Sequence, residues 1–129
     1  MKRLALILAL VLAACDTTTE PSDPNTGSYD MVIYSGHALP YTGGRVTMYG
    51  ATLEIRNDGT YSLSYVMSGF GSAQFPTTES GTWSASYGTI NLVRTAMDTN
   101  PDAQPYPWSC SSSDHLVCSW GNGSEWWRH

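Results

Sequence analysis

The stretch TLEIRNDGTYSLSYVM, from Thr52 to Met67, decides the fold of this 129-residue chain. Apolar and polar residues alternate on both sides of Asn57-Asp58-Gly59, which is the period of a half-buried strand. Asp-Gly between two alternating runs is a strong hairpin signal, because glycine accepts the positive φ that a tight turn requires. The stretch therefore predicts two antiparallel strands joined by a tight turn.

The same alternation predicts two more hairpins and two earlier strands. GTWSASYGTINLV (81–93) alternates around Tyr87-Gly88, and HLVCSWGNGSEWWRH (115–129) turns at Gly121-Asn122-Gly123. Strands are also predicted at 29–34 and 45–49, and no ten-residue segment has the 3.6-residue period of a helix. We therefore predict an all-β fold, a small antiparallel up-and-down barrel of about eight strands, since closure protects the edge strands.

Two regions do not alternate and are predicted as long loops, 69–80 and 95–109. The alternation elsewhere predicts which side chains point into the barrel. These are Met31, Ile33, Leu53, Ile55, Tyr61, Leu63, Tyr65, Trp83, Ile90 and Leu92. A barrel of eight strands has room for side chains or for one small ligand, and this bulky set is large enough to fill it.

The first fourteen residues have the composition of an export signal. Two basic residues precede an apolar run from Leu4 to Ala14, which is shorter than the roughly 20 residues of a transmembrane helix. Leu12-Ala13-Ala14-Cys15 resembles the lipobox of bacterial lipoproteins. The resemblance implies cleavage before Cys15, a diacylglycerol on its sulfur and an acyl chain on its amino group. We divide the chain into a signal peptide (1–14), a lipidated cysteine with a flexible tether (15–27) and a barrel domain (28–129).

Cleavage before Cys15 would leave an acidic chain without lysine. Four arginines then face eleven aspartates and glutamates, a net charge of −7. Such a surface disfavours nucleic acid and anionic lipid, so the lipid on Cys15 is expected to be the membrane attachment. With Cys15 acylated, Cys110 and Cys118 remain as one possible disulfide in an oxidising compartment, and two unpaired thiols are the alternative.

The domain itself resembles the small lipocalin-like lipoproteins of the bacterial envelope. The resemblance is carried by GSYDMVIYSGHALPY, ATLEIRNDGTYSL and ESGTWSASYGTINL and covers Ser28 to about Val93. It implies the barrel fold, export and attachment to a membrane, on its periplasmic or surface face. These motifs are structural and imply little chemistry, and the segment from Thr95 to Cys118 has no counterpart in the pattern.

Candidate catalytic and metal-binding residues are few. Ser113, Asp114 and His115 are neighbours, and a catalytic triad needs histidine between the nucleophile and the aspartate in space. Successive residues of an extended chain point to opposite faces, so we expect a polar loop there. His37, His115 and His129 are far apart in sequence, unlike most zinc ligands. We expect no enzyme activity, no metal and no cofactor.

The aromatic residues supply the remaining functional hypothesis. Trp126 and Trp127 are adjacent, so one is expected to point inward and the other outward. Together with Tyr106 and Trp108 they predict a surface for a sugar ring, a peptide or a lipid; the alternative is that these rings cover the end of the barrel or pack under the long loop. Two functions follow for a non-enzymatic, monomeric envelope lipoprotein: its barrel holds a small apolar ligand, or it binds a protein or cell-wall glycan through these aromatics and the 95–118 loop.

Overall fold

The computed structural model describes residues 23–71 and 73–129, and β-strands make up most of them. The predicted signal peptide, Cys15 and most of the predicted tether lie outside the described residues. A single 3₁₀ turn, Trp120–Asn122, precedes the last strand. The strands are β1 (Gly27–Tyr34), β2 (His37–Ala38), β3 (Tyr41–Gly43), β4 (Val46–Ile55), β5 (Thr60–Gly69), β6 (Phe75–Ser86), β7 (Thr89–Met97), β8 (Tyr106–Ser112), β9 (Leu116–Cys118) and β10 (Ser124–Arg128).

Eight of these strands close into an antiparallel barrel, as the sequence predicts. From β4 to β10 each strand pairs with the next one along the chain, and β1 closes the ring by pairing with both β4 and β10. The short strands β2 and β3 stand outside the ring and extend β1 and β4 beyond the point where those two stop pairing. The topology is therefore up-and-down, with one excursion between β1 and β4.

The hairpin at Asn57-Asp58-Gly59 has the local structure that its sequence predicts. Gly59 has a φ of 84°, which a residue with a side chain rarely adopts. Asp58 accepts hydrogen bonds from both the backbone nitrogen and the hydroxyl of Thr60, at 2.9 and 2.6 Å. These bonds hold the pKa of Asp58 below its ordinary value. The turn fixes the register of β4 against β5, which places Leu53 opposite Leu63.

The barrel interior is filled by side chains. Eight of the ten residues predicted to point inward are buried, the exceptions being Ile33 and Trp83, which are partly exposed. Ile33 follows an irregularity in the β1–β10 pairing. The Trp83 indole donates a hydrogen bond to the Arg56 carbonyl at 2.7 Å, at the end of the barrel. Large residues outside the predicted set complete the core, namely Tyr29, Met48, Trp108, Leu116, Trp120 and Trp126.

The two predicted long loops are wrong over much of their length. Strand β6 already begins at Phe75, inside the predicted loop 69–80. Strand β7 runs to Met97 and β8 begins at Tyr106, so the 95–109 loop shrinks to 98–105. Buried positions in β6 are held by Thr77 and Glu79 rather than by apolar residues. Because polar residues hold these inward positions, β6 lacks the apolar–polar alternation by which a strand is recognised in a sequence.

The barrel end near the β4–β5 turn is held by residues on both sides of the predicted domain boundary. The Arg128 guanidinium lies 5.0 Å over the Tyr29 ring and donates to its hydroxyl at 2.7 Å and to the Pro24 carbonyl. The Tyr29 hydroxyl in turn donates to the Asn25 carbonyl at 2.8 Å. Contacts with the barrel therefore begin before residue 28, the predicted start of the domain.

Cys110 and Cys118 form a disulfide, which confirms the predicted pair. The two residues lie directly opposite each other on β8 and β9, with Cα atoms 4.0 Å apart. Both are buried. The bridge fixes the short strand β9 in the ring.

Candidate ligand-binding groove

The predicted aromatic surface is not assembled, because two of its four members lie in the core. Trp108 is 4% exposed and Trp126 is 0% exposed, so the prediction that they form a surface is wrong for both. Trp108 packs edge-on to Tyr61, with ring centroids 5.6 Å apart, and donates to its hydroxyl at 3.2 Å. Alternation on β10 places Trp126 inward and Trp127 outward, as expected for adjacent residues of a strand.

Tyr106 and Trp127 are exposed, at 47% and 43%, but lie far apart. Trp126 is opposite Leu116, which is opposite Ser112 at the far end of β8 from Tyr106. Six strand residues separate the two levels, a distance of about 20 Å. Most of the 95–118 segment is strand, so it does not form the predicted binding loop.

The Ser113, Asp114 and His115 side chains do meet, but in an order that does not make a catalytic triad. The Asp114 carboxylate accepts hydrogen bonds from the Ser113 hydroxyl at 3.0 Å and from the His115 ring at 2.7 Å. These bonds hold the pKa of Asp114 below its ordinary value. Aspartate stands between the other two, whereas histidine must touch the nucleophile to remove its proton.

The three histidines are also separate. His37 stacks on Tyr41, His115 stacks on Trp127, and His129 contacts Asp30 at 2.8 Å. Within residues 23–71 and 73–129, no group of three His, Cys, Asp or Glu side chains is placed to hold a metal ion.

A concave region of about 570 Å³ opens where β1 and β4 stop pairing, and its lining includes the buried residues Met31, Tyr65 and Thr77 as well as outward-facing ones. Four outward residues form its floor, one from each of β1, β4, β5 and β6: Asp30, Thr52, Ser64 and Thr78. They are direct register neighbours, so they form a single row across the sheet. The Thr52 hydroxyl donates to the Asp30 carboxylate at 3.0 Å, and the hydroxyls of Ser64 and Thr78 are 3.2 Å apart.

Tyr49 forms an aromatic wall of this groove, and Gly50 adds to its depth because it has no side chain. Tyr49 is 38% exposed, and hydrogen bonds with Ser68 and Gln74 lower the pKa of its hydroxyl. The β4–β5 pairing is irregular between Met48 and Gly50. A Cβ atom placed on Gly50 would meet nothing within 4 Å, so the absent side chain leaves open space at the floor.

The polar row of the groove continues into two stacked rings. Trp127 on β10 lies opposite Asp30 on β1. The His115 ring covers Trp127, with ring centroids 4.3 Å apart and planes 5° from parallel. From Trp127 to Thr78 the row crosses five strands, which is about 19 Å. This surface therefore combines hydroxyl groups, one carboxylate and flanking aromatic rings.

The buried Glu79 pairs with the partly exposed Arg94, and the sequence did not predict this pair. Glu79 is 1% exposed, and its Oε2 lies 3.7 Å from Arg94 Nη1. Among the described residues, Glu79 Oε1 and Arg94 Nε have no hydrogen-bond partner. Burial raises the pKa of Glu79, and Arg94 offsets this only in part. Burial also raises the pKa of Tyr61 and Tyr65 to about 12.

Comparisons with known proteins do not add to this description. No family model, curated protein or solved structure gives a significant match to the chain. Over the described residues, the structure contains no helix with the length and hydrophobicity needed to cross a membrane.

Proposed function

We propose that this chain is a lipid-anchored protein of the bacterial cell envelope, and that its barrel is a non-enzymatic module that binds its ligand on the outside. The proposal joins the lipobox-like sequence at Cys15 to the barrel and its groove. It places the ligand in the outer groove, not in the barrel interior.

The observation that supports the anchor is the use of the three cysteines. Cys110 and Cys118 pair with each other, so Cys15 is the odd cysteine. Disulfides persist in oxidising compartments outside the cytosol. The remaining cysteine, Cys15, directly follows Leu12-Ala13-Ala14 at the end of the predicted export signal. This is the position at which a lipoprotein cysteine would be acylated.

The filled core supports binding outside the barrel. Trp126, Tyr61 and Leu63 are fully buried at the centre, where an apolar ligand would have to lie. Admitting such a ligand would require these side chains to move out of a close-packed interior. The outer groove has the volume of a small-ligand site, about 570 Å³ against a common range of roughly 300–1,000 Å³.

Mass spectrometry of the protein from membrane fractions tests the anchor. We expect the wild-type N-terminus to begin at Cys15 and to carry the mass of a diacylglycerol, with or without a further acyl chain. A Cys15→Ser variant should carry no lipid mass, and Cys110→Ser with Cys118→Ser should leave the lipid in place. A wild-type N-terminus without lipid would refute the anchor.

A further inference from the structure

We propose that the groove over β1, β4, β5 and β6 binds an uncharged glycan chain. This inference rests on the proposed function and adds the chemical class of the ligand. Its floor is the row Asp30, Thr52, Ser64 and Thr78, and its wall is Tyr49.

The floor has the chemistry that recognises sugar hydroxyls. Each serine or threonine hydroxyl has one donor and two acceptor positions. In the row each makes at least one hydrogen bond to a neighbour, so each retains capacity for a ligand. The Asp30 carboxylate accepts from Thr52 and lies 2.8 Å from the His129 ring, and its remaining lone pairs would accept from hydroxyl donors of the ligand. Hydrogen-bonding groups thus extend along about 19 Å from Trp127 to Thr78, the length of several sugar rings.

The walls have the chemistry that recognises the apolar face of a sugar ring. Tyr49 lines the groove beside the row, and its hydroxyl lies within hydrogen-bond distance of Ser68, at 3.2 Å. At the other end the row reaches Trp127, which is 43% exposed. Rigid aromatic rings contribute contact area with little loss of side-chain entropy on binding. An apolar ligand would cover the remaining hydrogen-bonding positions of these hydroxyls without satisfying them, which is costly.

The glycine at position 50 is independent support for an open groove. Its φ lies outside the left-handed region, and a Cβ atom there would meet nothing within 4 Å. Neither backbone conformation nor packing requires glycine at this position, and glycine weakens a strand interior. Glycine within a strand often marks either a bulge, such as the irregularity between Met48 and Gly50, or a place where a ligand approaches the backbone closely. The open space above Gly50 is part of the groove itself.

Charge selects an uncharged glycan over an acidic one. No lysine or arginine is among the described residues that line the groove, and Asp30 lies in its floor. The whole chain is acidic, with eleven carboxylates and six basic residues. A sulfated or uronic acid chain would meet the like charge of Asp30 in the row, which opposes its association.

Amide chemical-shift mapping tests the site on the full chain purified in mild detergent. The probes are N-acetylchitotetraose and cellotetraose, with dodecanoate as an apolar comparison. We expect at least one oligosaccharide to shift the amides of Gly50, Thr52, Ser64 and Thr78 saturably, with dodecanoate leaving them unchanged. No shift with either oligosaccharide at millimolar concentration would overturn the glycan assignment.

The dodecanoate arm separates this inference from the proposed function. Groove shifts with dodecanoate alone would overturn the glycan and leave outer-surface binding standing. Dodecanoate shifts confined to interior amides such as Leu63 and Leu92 would overturn outer-surface binding itself. Absence of the lipid on Cys15 would be detected separately, by mass spectrometry of the membrane-fraction protein.

Two variants with matched controls locate the ligand. Gly50→Phe should fill the groove and abolish oligosaccharide shifts, whereas Ser84→Phe, six residues along β6 from Thr78, should not change them. Tyr49→Ala should weaken binding about fivefold to tenfold, and Tyr87→Ala, at the exposed β6–β7 turn, should have no effect. Binding that survives both Gly50→Phe and Tyr49→Ala, in proteins with otherwise native spectra, would refute the site.

Discussion

At the scale of single residues, the carboxylate of Glu79 carries an electrostatic cost because it is buried. It is almost fully buried, and its nearest cation is 3.7 Å away, too far for a good hydrogen bond. Arg94 divides its guanidinium between Glu79, the Gln104 carbonyl at 3.0 Å and the Tyr106 ring. A buried pair of this kind often stabilises a fold less than apolar residues of similar volume would.

This geometry predicts how stability depends on pH. Burial raises the pKa of Glu79 above its ordinary value of 4.5, so the folded chain binds a proton that the unfolded chain releases. The stabilisation that Glu79 contributes is fully present at pH values below its pKa in the unfolded chain. It is lost as the pH rises through its pKa in the folded chain. Glu79→Gln removes that titration. Its free energy of unfolding should therefore rise relative to wild type as pH increases above 4.5, by about 1.4 kcal/mol for each unit of difference between the two pKa values.

Urea unfolding followed by tryptophan fluorescence, from pH 4 to pH 8, measures the effect. Glu54→Gln is the matched control for the change in net charge, because Glu54 is exposed and pairs with Arg56 on the surface. The informative quantity is the difference between each variant and wild type at the same pH. A Glu79→Gln difference that stays constant across this range would show that burial does not perturb this carboxyl.

At the scale of strands, glycine at position 81 permits β6 and β7 to approach. A Cβ atom there would lie 1.9 Å from the Val93 carbonyl oxygen and 2.9 Å from the Tyr61 ring. Since the first of these atoms is backbone, an added methyl group must displace a strand. Gly81 also sits at the irregularity in the β6–β7 pairing, which makes this the tightest point of the sheet among the described glycines.

We therefore expect Gly81→Ala to lower the free energy of unfolding by about 2–3 kcal/mol. Gly50→Ala is the matched control, with the same added methyl group on a barrel strand in open space. It should change stability by no more than about 0.5 kcal/mol. Thermal unfolding of both variants measures the contrast. Equal losses would mean that the packing at Gly81 does not limit the sheet.

The strands also show what the sequence could and could not predict. The turn at Asn57-Asp58-Gly59 is determined by the conformational preferences of these three residues, so the hairpin could be predicted from the sequence. Strand β6 was not, because Thr77 and Glu79 occupy its inward positions and hide the alternation. The start of β8 was hidden by two prolines, one of which, Pro107, lies opposite Val93.

At the scale of the whole molecule, the groove depends on barrel closure. Asp30 is 22 residues from Thr52 in sequence, and they become neighbours only because β1 returns to pair with β4. Each residue of the row is an ordinary polar residue on the exposed face of its own strand. No local pattern distinguishes such residues, so the sequence could predict the barrel but not the groove. The aromatic residues led to the prediction of a binding surface, but two of its four members, Trp108 and Trp126, are buried.

The proposed lipid anchor, together with the net charge of the cleaved chain, predicts how the whole protein behaves in a cell fraction. A mature chain with a net charge of −7 and no lysine has no electrostatic attraction to anionic lipid. Two or more acyl chains give stable anchoring, whereas one gives only marginal binding. The protein should therefore stay in the membrane pellet after a wash with 1 M salt, where the Debye length is about 3 Å, and should leave it in detergent. Replacing residues 1–15 with a signal peptide that is cleaved without lipidation should move the protein into the soluble fraction. Release of the wild type by salt, or retention of the replaced form, would show that the lipid does not hold this barrel at the membrane.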